Sequence, residues 1–326
     1  MLATPTPPAG YRARPARLED ADALSDLFIA VDASEGLEEV LGPEGTRRQL
    51  AHRGLDRRRD TLVVLDAGGV IRGFVWIWAK RAGDAARAII WIEAHPEHIG
   101  LEPFLLAWAE AAARPSLGTA GSPGRRYVRQ HVEEHRERRR RVAEEAGYRH
   151  ERTFVEMWRP LTEGLPAPAS LPPGIESVPW SGDLAEGARL ATNEAFASHW
   201  DSMPATPEDW QARVCDDPNF RPDLSRLALS NGRVVALTTA SVDPEHNARH
   251  EVAEVWVERV GTVPAYQRRG LATSLVGEVL RSAAAAGLTR AGLGVDQDNA
   301  TRATAMYERL GFAATRRTLA YVKELT

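Results

Sequence analysis

Glu254–Leu280, EVWVERVGTVPAYQRRGLATSLVGEVL, decides how this chain is read. Val255, Val257 and Val260 stand apolar against Glu254, Glu258 and Arg259, the alternation of a half-buried strand. Pro264 ends it, because proline cannot donate to a sheet ladder. Gln267-Arg268-Arg269-Gly270-Leu271-Ala272 follows, and then Leu271, Leu275, Val276, Val279, Leu280 and Ala283 recur at helical spacing. Strand, short basic loop and helix in that order build an anion site. The first N–H groups of the helix are unpaired and its dipole favours negative charge there. Gly270 lets the backbone approach a phosphate, and Arg268 and Arg269 add charge. The same six residues also suit a plain strand-to-helix turn with two solvated arginines.

Downstream, VDQDNATRATAMYERLGF (295–312) reads as a strand, then Asn299, then a helix bearing Tyr307 and stopped at Gly311-Phe312. Upstream, the Pro-rich stretch TEGLPAPASLPPG (162–174) reads as a linker. The element order before it repeats after it: strand, two helices, hairpin, strand, helix, strand, helix, strand. Gly10-Tyr11 stands opposite Gly174-Ile175, and Glu-Glu-Ala-Gly147-Tyr148 opposite Glu-Arg-Leu-Gly311-Phe312, with one offset for both pairs. Two copies of one α/β unit are therefore expected, 1–163 and 164–326.

QRRGLA resembles the acetyl-CoA loop of the GNAT superfamily of N-acyltransferases, Gln/Arg-x-x-Gly-x-Gly/Ala, with Ala272 in the last position. The 295–312 segment is similar to that superfamily's second marker. The resemblance is strong in the second half and weak in the first. It implies an α/β fold of two tandem GNAT-like domains, each a mixed, mainly antiparallel central sheet flanked by helices. It implies acetyl-CoA as co-substrate, held by Val260, Thr262, Val263, Gln267, Arg268, Arg269, Gly270, Leu271, Ala272 and Asn299.

The chemistry implied is direct attack of an amine on a thioester. An alkylammonium has a pKa near ~10.4, so a carboxylate base is needed. Glu258 ranks first and Glu254 second; alternation puts both on the side of Trp256. Each also reads as a solvated strand carboxylate, and Arg259 is a candidate ion-pair partner. The oxyanion needs a backbone donor, Thr262 or Val263, since Pro264 has none. Tyr307 matches the family's acid for the leaving thiolate, with core packing as the other reading. Asn299 contacts the pantetheine arm or caps the helix at Thr301. The acceptor is expected over 193–210, where Phe196, His199, Trp200, Asp201 and Trp210 cluster; the segment looks like its counterpart in mycothiol synthase and its tandem relatives. Asp201 is a candidate for holding a cationic amine; simple packing of the tryptophans is the alternative.

The first half departs from this pattern. HPEHIGLE (95–102) stands where the phosphate loop should be and lacks the arginines. Ala143 stands opposite Tyr307, and His135 opposite Asn299. A degenerate, non-catalytic N-terminal domain is expected.

Composition sets the outer bounds. The 326 residues fit about two domains. Hydrophobic content of 43%, charge of 26% and a net −4 describe an ordinary globular protein with no global pull toward nucleic acid or membrane. The single cysteine, Cys215, excludes an internal disulfide and a Cys-rich metal site; no metal is expected. It fits a reducing cytoplasm. MLATPTPPAG lacks a signal-peptide pattern, and no apolar run reaches the ~20 residues of a membrane span. Arg136–Arg141 holds five arginines, but flanking and interleaved glutamates make a solvated helix face the expected reading over nucleic-acid binding. The expected partner is a small-molecule amine, with the chain a monomer or homodimer. A second reading is an acyl-CoA-binding regulatory protein without turnover, and protein amines stay open as acceptors.

Overall fold

The computed structural model describes residues 5–36, 41–52, 54–82, 85–118, 124–299 and 303–325. In the first half the strands are β1 (Arg12–Arg14), β2 (Thr61–Leu65), β3 (Ile71–Ala82), β4 (Ala85–Ala94), β5 (Arg126–Glu133) and β6 (Arg149–Pro160). The helices there are α1 (Ala21–Glu35), α2 (Pro43–Leu50), α3 (Arg57–Asp60), α4 (Glu102–Leu117) and α5 (Glu137–Glu145). The second half has β7 (Ile175–Pro179), β8 (Arg226–Ser230), β9 (Arg233–Ser241), β10 (Glu254–Thr262), β11 (Arg290–Asp296) and β12 (Ala313–Glu324). Its helices are α6 (Ala185–Phe196), α7 (Pro207–Trp210), α8 (Pro244–His250), α9 (Leu271–Ala285) and α10 (Ala303–Arg309).

The compact units are residues 1–152 with 318–326, and residues 153–317. This differs from the division at 163/164. Each half gives its last strand to the other unit. Phe154–Pro160 of β6 pairs antiparallel with β11, and Thr318–Glu324 of β12 pairs antiparallel with β5. Packing follows pairing: Val155 and Met157 join the core of Val257 and Leu293, while Leu319 and Tyr321 join that of Val75 and Leu105. A common sequence offset cannot reveal such an exchange, because both halves carry an equivalent strand.

Within each unit the sheet is mixed and mainly antiparallel. The first runs β1-β2-β3-β4-β5 and on to β12, with only β4–β5 parallel. The second runs β7-β8-β9-β10-β11 and on to β6, with only β10–β11 parallel. Helical stripes cover both faces. In the first unit Leu24, Leu27, Phe28 and Val31 of α1 pack with Val63 and Phe74, and Leu105 and Leu106 of α4 pack on the opposite core. In the second, Val276, Val279 and Leu280 of α9 pack with Val255 and Val257. Each such side chain, fully buried, contributes about 1.5–3 kcal/mol. The repeat is visible in the backbone: Gly10 and Gly174 have φ of 86° and 78°, and Gly147 and Gly311 both 87°.

Pro244–His250 adds a helix to the expected elements, capped by Asp243, whose carboxylate accepts from the N–H groups of Glu245 and His246 at 2.9 and 3.0 Å. One expectation changes. The arginine run is not simply a solvated face. Arg136 and Arg139 are buried at 9% and 6% exposure, because they turn inward onto Glu35, Glu93 and Glu133.

Candidate active site

The site is built by a strand that keeps one neighbour and loses the other. β10 pairs in parallel with β11 only over Glu254–Val257 against Arg290–Leu293. Beyond that β11 continues to Asp296 along β6, and β10 continues to Thr262 along β9. Val263 N–H donates to Val235 C=O at 3.0 Å. In an antiparallel pair the hydrogen-bonded positions alternate. Thr262 opposite Ala236 and Val260 opposite Thr238 therefore direct their N–H groups away from β9, into the slot that β11 leaves. Thr262 C=O accepts from Gln267 Nε2 at 3.2 Å, which ties the following loop to the strand. Val263 is excluded as an oxyanion donor, since its N–H is committed to the sheet; Thr262 and Val260 hold the geometry.

The loop then curls. Pro264–Tyr266 makes one tight turn, Arg268 adopts φ 59° and Gly270 φ 81°, immediately before α9. Left-handed backbone makes glycine the natural residue at 270. A Cβ there would meet nothing within 4 Å, so the conformation rather than crowding sets the requirement. Arg268 and Arg269 are exposed, with the Arg269 guanidinium 5.0 Å over the Tyr266 ring. Leu271 is buried and Ala272 half-buried, so these two offer backbone N–H groups and not side chains. This geometry, at the head of a 15-residue helix, is one that suits an anion.

The two candidate bases separate. Glu254, at the paired end of β10, is 6% exposed, forms an ion pair with Arg290 and lies 3.3 Å from His246 Nε2. Its charge is committed to structure. Glu258, at the slot end, is exposed, and its Oε1 accepts from Ser241 Oγ at 2.7 Å. A β-bulge between Val257 and Arg259 makes Glu258 the extra residue of the strand. The bulge leaves Glu258 and Arg259 both on the Trp256 side. Arg259 lies 5.7 Å from the Trp210 ring, so Ser241 rather than Arg259 is the partner of Glu258.

Tyr307 is buried at 6% exposure in the core below the slot, edge-on to Phe312 at 5.9 Å. Burial pushes its hydroxyl well above the ordinary tyrosine value, so it holds its proton through the neutral range. That protonation state suits both a proton donor and a packed ring. Asn299 N–H bonds Asp296 C=O at 3.2 Å. The cap expected at Thr301 lies outside the described residues.

The predicted acceptor cluster is brought together only in part. Phe196 meets His199 at 4.6 Å, and Trp200 meets Phe154 at 6.1 Å. Burial holds the His199 imidazole below its usual range, with Asp296 pulling the other way. Trp210 belongs elsewhere: it is buried and stacked on Trp180 at 6.2 Å. Asp201 adopts φ 58° at the end of the turn. The sequence reading missed Phe154, Trp158, Ser241 and Asp296. Register sets Trp256 opposite Ser241 and Gly292, Gly292 opposite Trp158, and Asp296 opposite Phe154, all on one face. Trp158 and Trp256 meet edge-on at 5.5 Å over Gly292, where a Cβ would stand 2.6 Å from Trp256. Two of the missed residues lie on β6, which the sequence reading left in the other domain.

Residues 191–312, which contain the slot, the loop and Tyr307, match the acetyltransferase (GNAT) family model. The second half of this chain carries a GNAT-family domain. Curated relatives agree. A mycothiol acetyltransferase of Pseudarthrobacter chlorophenolicus is 34% identical over 52% of this chain and 52% of its own length. Another, of Streptomyces avermitilis, is 29% identical over 95% of this chain and 92% of its own. The chain thus spans about half the length of the first of these relatives and nearly all of the other. Among solved structures, a GCN5-related N-acetyltransferase from Sphaerobacter thermophilus superposes with a TM-score of 0.80 at 24% identity, covering 98% of this chain and 97% of that one. A tandem GNAT protein from the clavulanic acid biosynthesis pathway superposes at 0.65 with 17% identity, covering 96% and 98%. The tandem GNAT fold therefore covers both halves. No helix among the described residues is long and apolar enough to cross a membrane.

Proposed function

We propose that this chain is an N-acetyltransferase that moves an acetyl group from acetyl-CoA to a primary amine of a small molecule. The observation that carries the reading is the slot of the GNAT domain: outward N–H groups on Val260 and Thr262, a curled basic loop after them, and an exposed carboxylate, Glu258, at its edge. Acetyl-CoA supplies the thioester acetyl. Arg268, Arg269 and the N–H groups after Gly270 would hold its phosphates, and Asn299 its pantetheine arm. Thr262, with Val260, offers N–H donors to the thioester oxygen as charge develops there. Glu258 accepts the proton of the attacking ammonium, directly or through water, with Ser241 Oγ fixing its orientation. Tyr307 retains a proton for the departing thiolate. Glu254 serves structure. The aromatic face of Phe154, Trp158, Trp200 and Trp256 suits an acceptor with apolar surface beside its amine. The first unit acts as a non-catalytic partner.

The relatives' name favours a mycothiol-type acceptor as a more specific version of this reading, and 29% identity across nearly the whole chain supports it. Acetyl-CoA incubated with a panel of amines, des-acetyl mycothiol and peptide N-termini among them, tests both by release of free thiol. Turnover with one small amine is the expected result. Tight CoA binding without thiol release for any acceptor would replace the enzyme with an acyl-CoA-binding protein.

A further inference from the structure

We propose that the turn His95–His98 of the first unit binds a divalent transition ion of the zinc type, with His95, Glu97 and His98 as ligands. One ligand atom of each of these three side chains lies within 4.8 Å of the others. Zinc holds N and O ligands at ~2.0–2.2 Å, which places tetrahedral ligands roughly 3.3–3.5 Å apart. Small side-chain rotations close the difference, since Glu97 is exposed and both histidines are half-buried.

The histidines are arranged, not merely adjacent. His98 leaves helical geometry at φ −124° and ψ 25°, and its ring stands 5.6 Å from that of His95. Tyr11, distant in sequence, hydrogen-bonds His98 Nδ1 through its hydroxyl at 2.6 Å and packs edge-on at 5.8 Å. That contact leaves Nε2 of His98 as the ligand atom; with an ion bound there, Nδ1–H donates to the Tyr11 hydroxyl, the part an outer-shell partner plays in a metal site. His95 Nδ1 accepts from Glu97 N–H at 3.3 Å, a long bond that coordination can replace at small cost. Two imidazoles and one carboxylate select zinc, cobalt, nickel or copper over magnesium and calcium, with water completing the shell. The bound ion would tie the end of β4 to the segment leading into β1. The turn occupies the place that the arginine loop holds in the GNAT domain, so an anion cradle in one unit corresponds to a cation site in the other.

The full chain, freed of metal by a chelator and of any tag, is titrated calorimetrically with zinc chloride, and with magnesium chloride as control. One saturable zinc event per chain is expected, and none with magnesium. The double variant His95→Gln/His98→Gln should weaken it by more than ~100-fold, and Tyr11→Phe by roughly 10-fold, as for loss of an outer-shell partner. Cobalt in place of zinc should give visible absorption bands that the double variant lacks. No saturable zinc event in the wild type overturns the proposal. So does an event of unchanged affinity in the double variant, which would move the ion to other histidines such as His246 and His250. Should the double variant misfold, the exposed Glu97→Gln decides: weakened zinc binding supports the site, and unchanged binding overturns it.

Discussion

The end of β4 and the end of β10 share one backbone design put to opposite uses. Each strand pairs in parallel with its neighbour for four residues, Ala86–Ile89 in one and Glu254–Val257 in the other, and then parts from it. Each is followed by an amide bonded back to the hairpin: His95 N–H to Arg72 C=O at 2.9 Å, and Val263 N–H to Val235 C=O at 3.0 Å. In the GNAT domain the outward groups of Val260 and Thr262 face the slot. In the first unit the slot is plugged. Arg139 of α5 donates to the C=O of Ile92, the residue equivalent to Val260, and to Glu93 at 2.8 Å. Arg136 adds contacts to Glu35, to Glu133 at 2.8 Å and to Glu93 at 3.6 Å. The sequence repeat puts Ala303 opposite Arg139, so α10 brings no cation to that point. The first unit thus fills with a buried ion network the place where the second has a slot, and fold alone does not tell the two apart.

The largest expected effect tests whether only one slot takes CoA. Gly270→Asp forces a Cβ into backbone at φ 81° and sets a carboxylate against the phosphates, so calorimetric CoA binding should be lost. Gly100→Asp, in the turn before α4 of the first unit, meets open space and should leave one CoA per chain. Two equivalent sites, or binding retained in Gly270→Asp, would erase the distinction between the units.

Next come two losses of rate. Glu258→Gln should slow turnover by roughly 10² or more, with recovery at high pH where the free amine needs no base. Tyr307→Phe should slow it by roughly 10² to 10³ as a lost general acid. CoA affinity should change by no more than the about 0.5–1.5 kcal/mol of one neutral hydrogen bond. Normal turnover in Tyr307→Phe would make that ring a packing residue, the equivalent of Ala143 in the first unit.

Arg139→Ala acts on the plug. It leaves buried Glu93 with only Arg136, at 3.6 Å, as a cation beside it, and since removal of one partner from a buried pair costs about 3–5 kcal/mol, a loss toward the lower end is expected. Urea unfolding should show that loss while CoA affinity at the proposed site after β10 holds. A second CoA site appearing in the variant would show that the first unit keeps a latent slot.

How much of this was legible in the sequence varies with the range of the interaction. QRRGLA placed the loop because its residue types and its neighbouring strand and helix are local. The bulge at Glu258 was also written there: the valines fall at 255, 257 and 260, a step of two and then of three, and the extra residue is the bulge. The capped helix α8 was readable from Asp243-Pro244-Glu245. The exchanged strands were not legible, because β6 and β12 are equivalent in pattern and only pairing shows which sheet takes each. Phe154 and Trp158 were lost from the acceptor face for that reason. Arg136 and Arg139 were misread because buried and solvated arginines look alike in a charge run; their carboxylate partners come from α1, β4 and β5.

The smallest effect concerns the pH dependence of the plug. Three carboxyl groups, Glu35, Glu93 and Glu133, face two guanidinium groups, Arg136 and Arg139. Burial is the strongest influence on Glu35; Arg136 and Arg139 pull its pKa down, Glu93 and Glu133 push it up, and the carboxyl is raised from 4.5 to about 7. The folded protein therefore keeps a proton that the unfolded chain releases. Unfolded chains bind fewer protons across this window, so stability falls as pH rises. The contribution is fully present below 4.5 and gone once pH passes about 7. Glu35→Gln carries a neutral amide at every pH and should flatten that part of the melting-temperature profile, measured from about pH 4.5 to about pH 8. The effect is modest because the Glu35 side chain is 26% exposed and Arg136 retains Glu133. An unchanged slope in Glu35→Gln would mean that Arg136 keeps the Glu35 carboxylate ionised in the folded state, and that the plug is balanced in charge instead of carrying an extra acid.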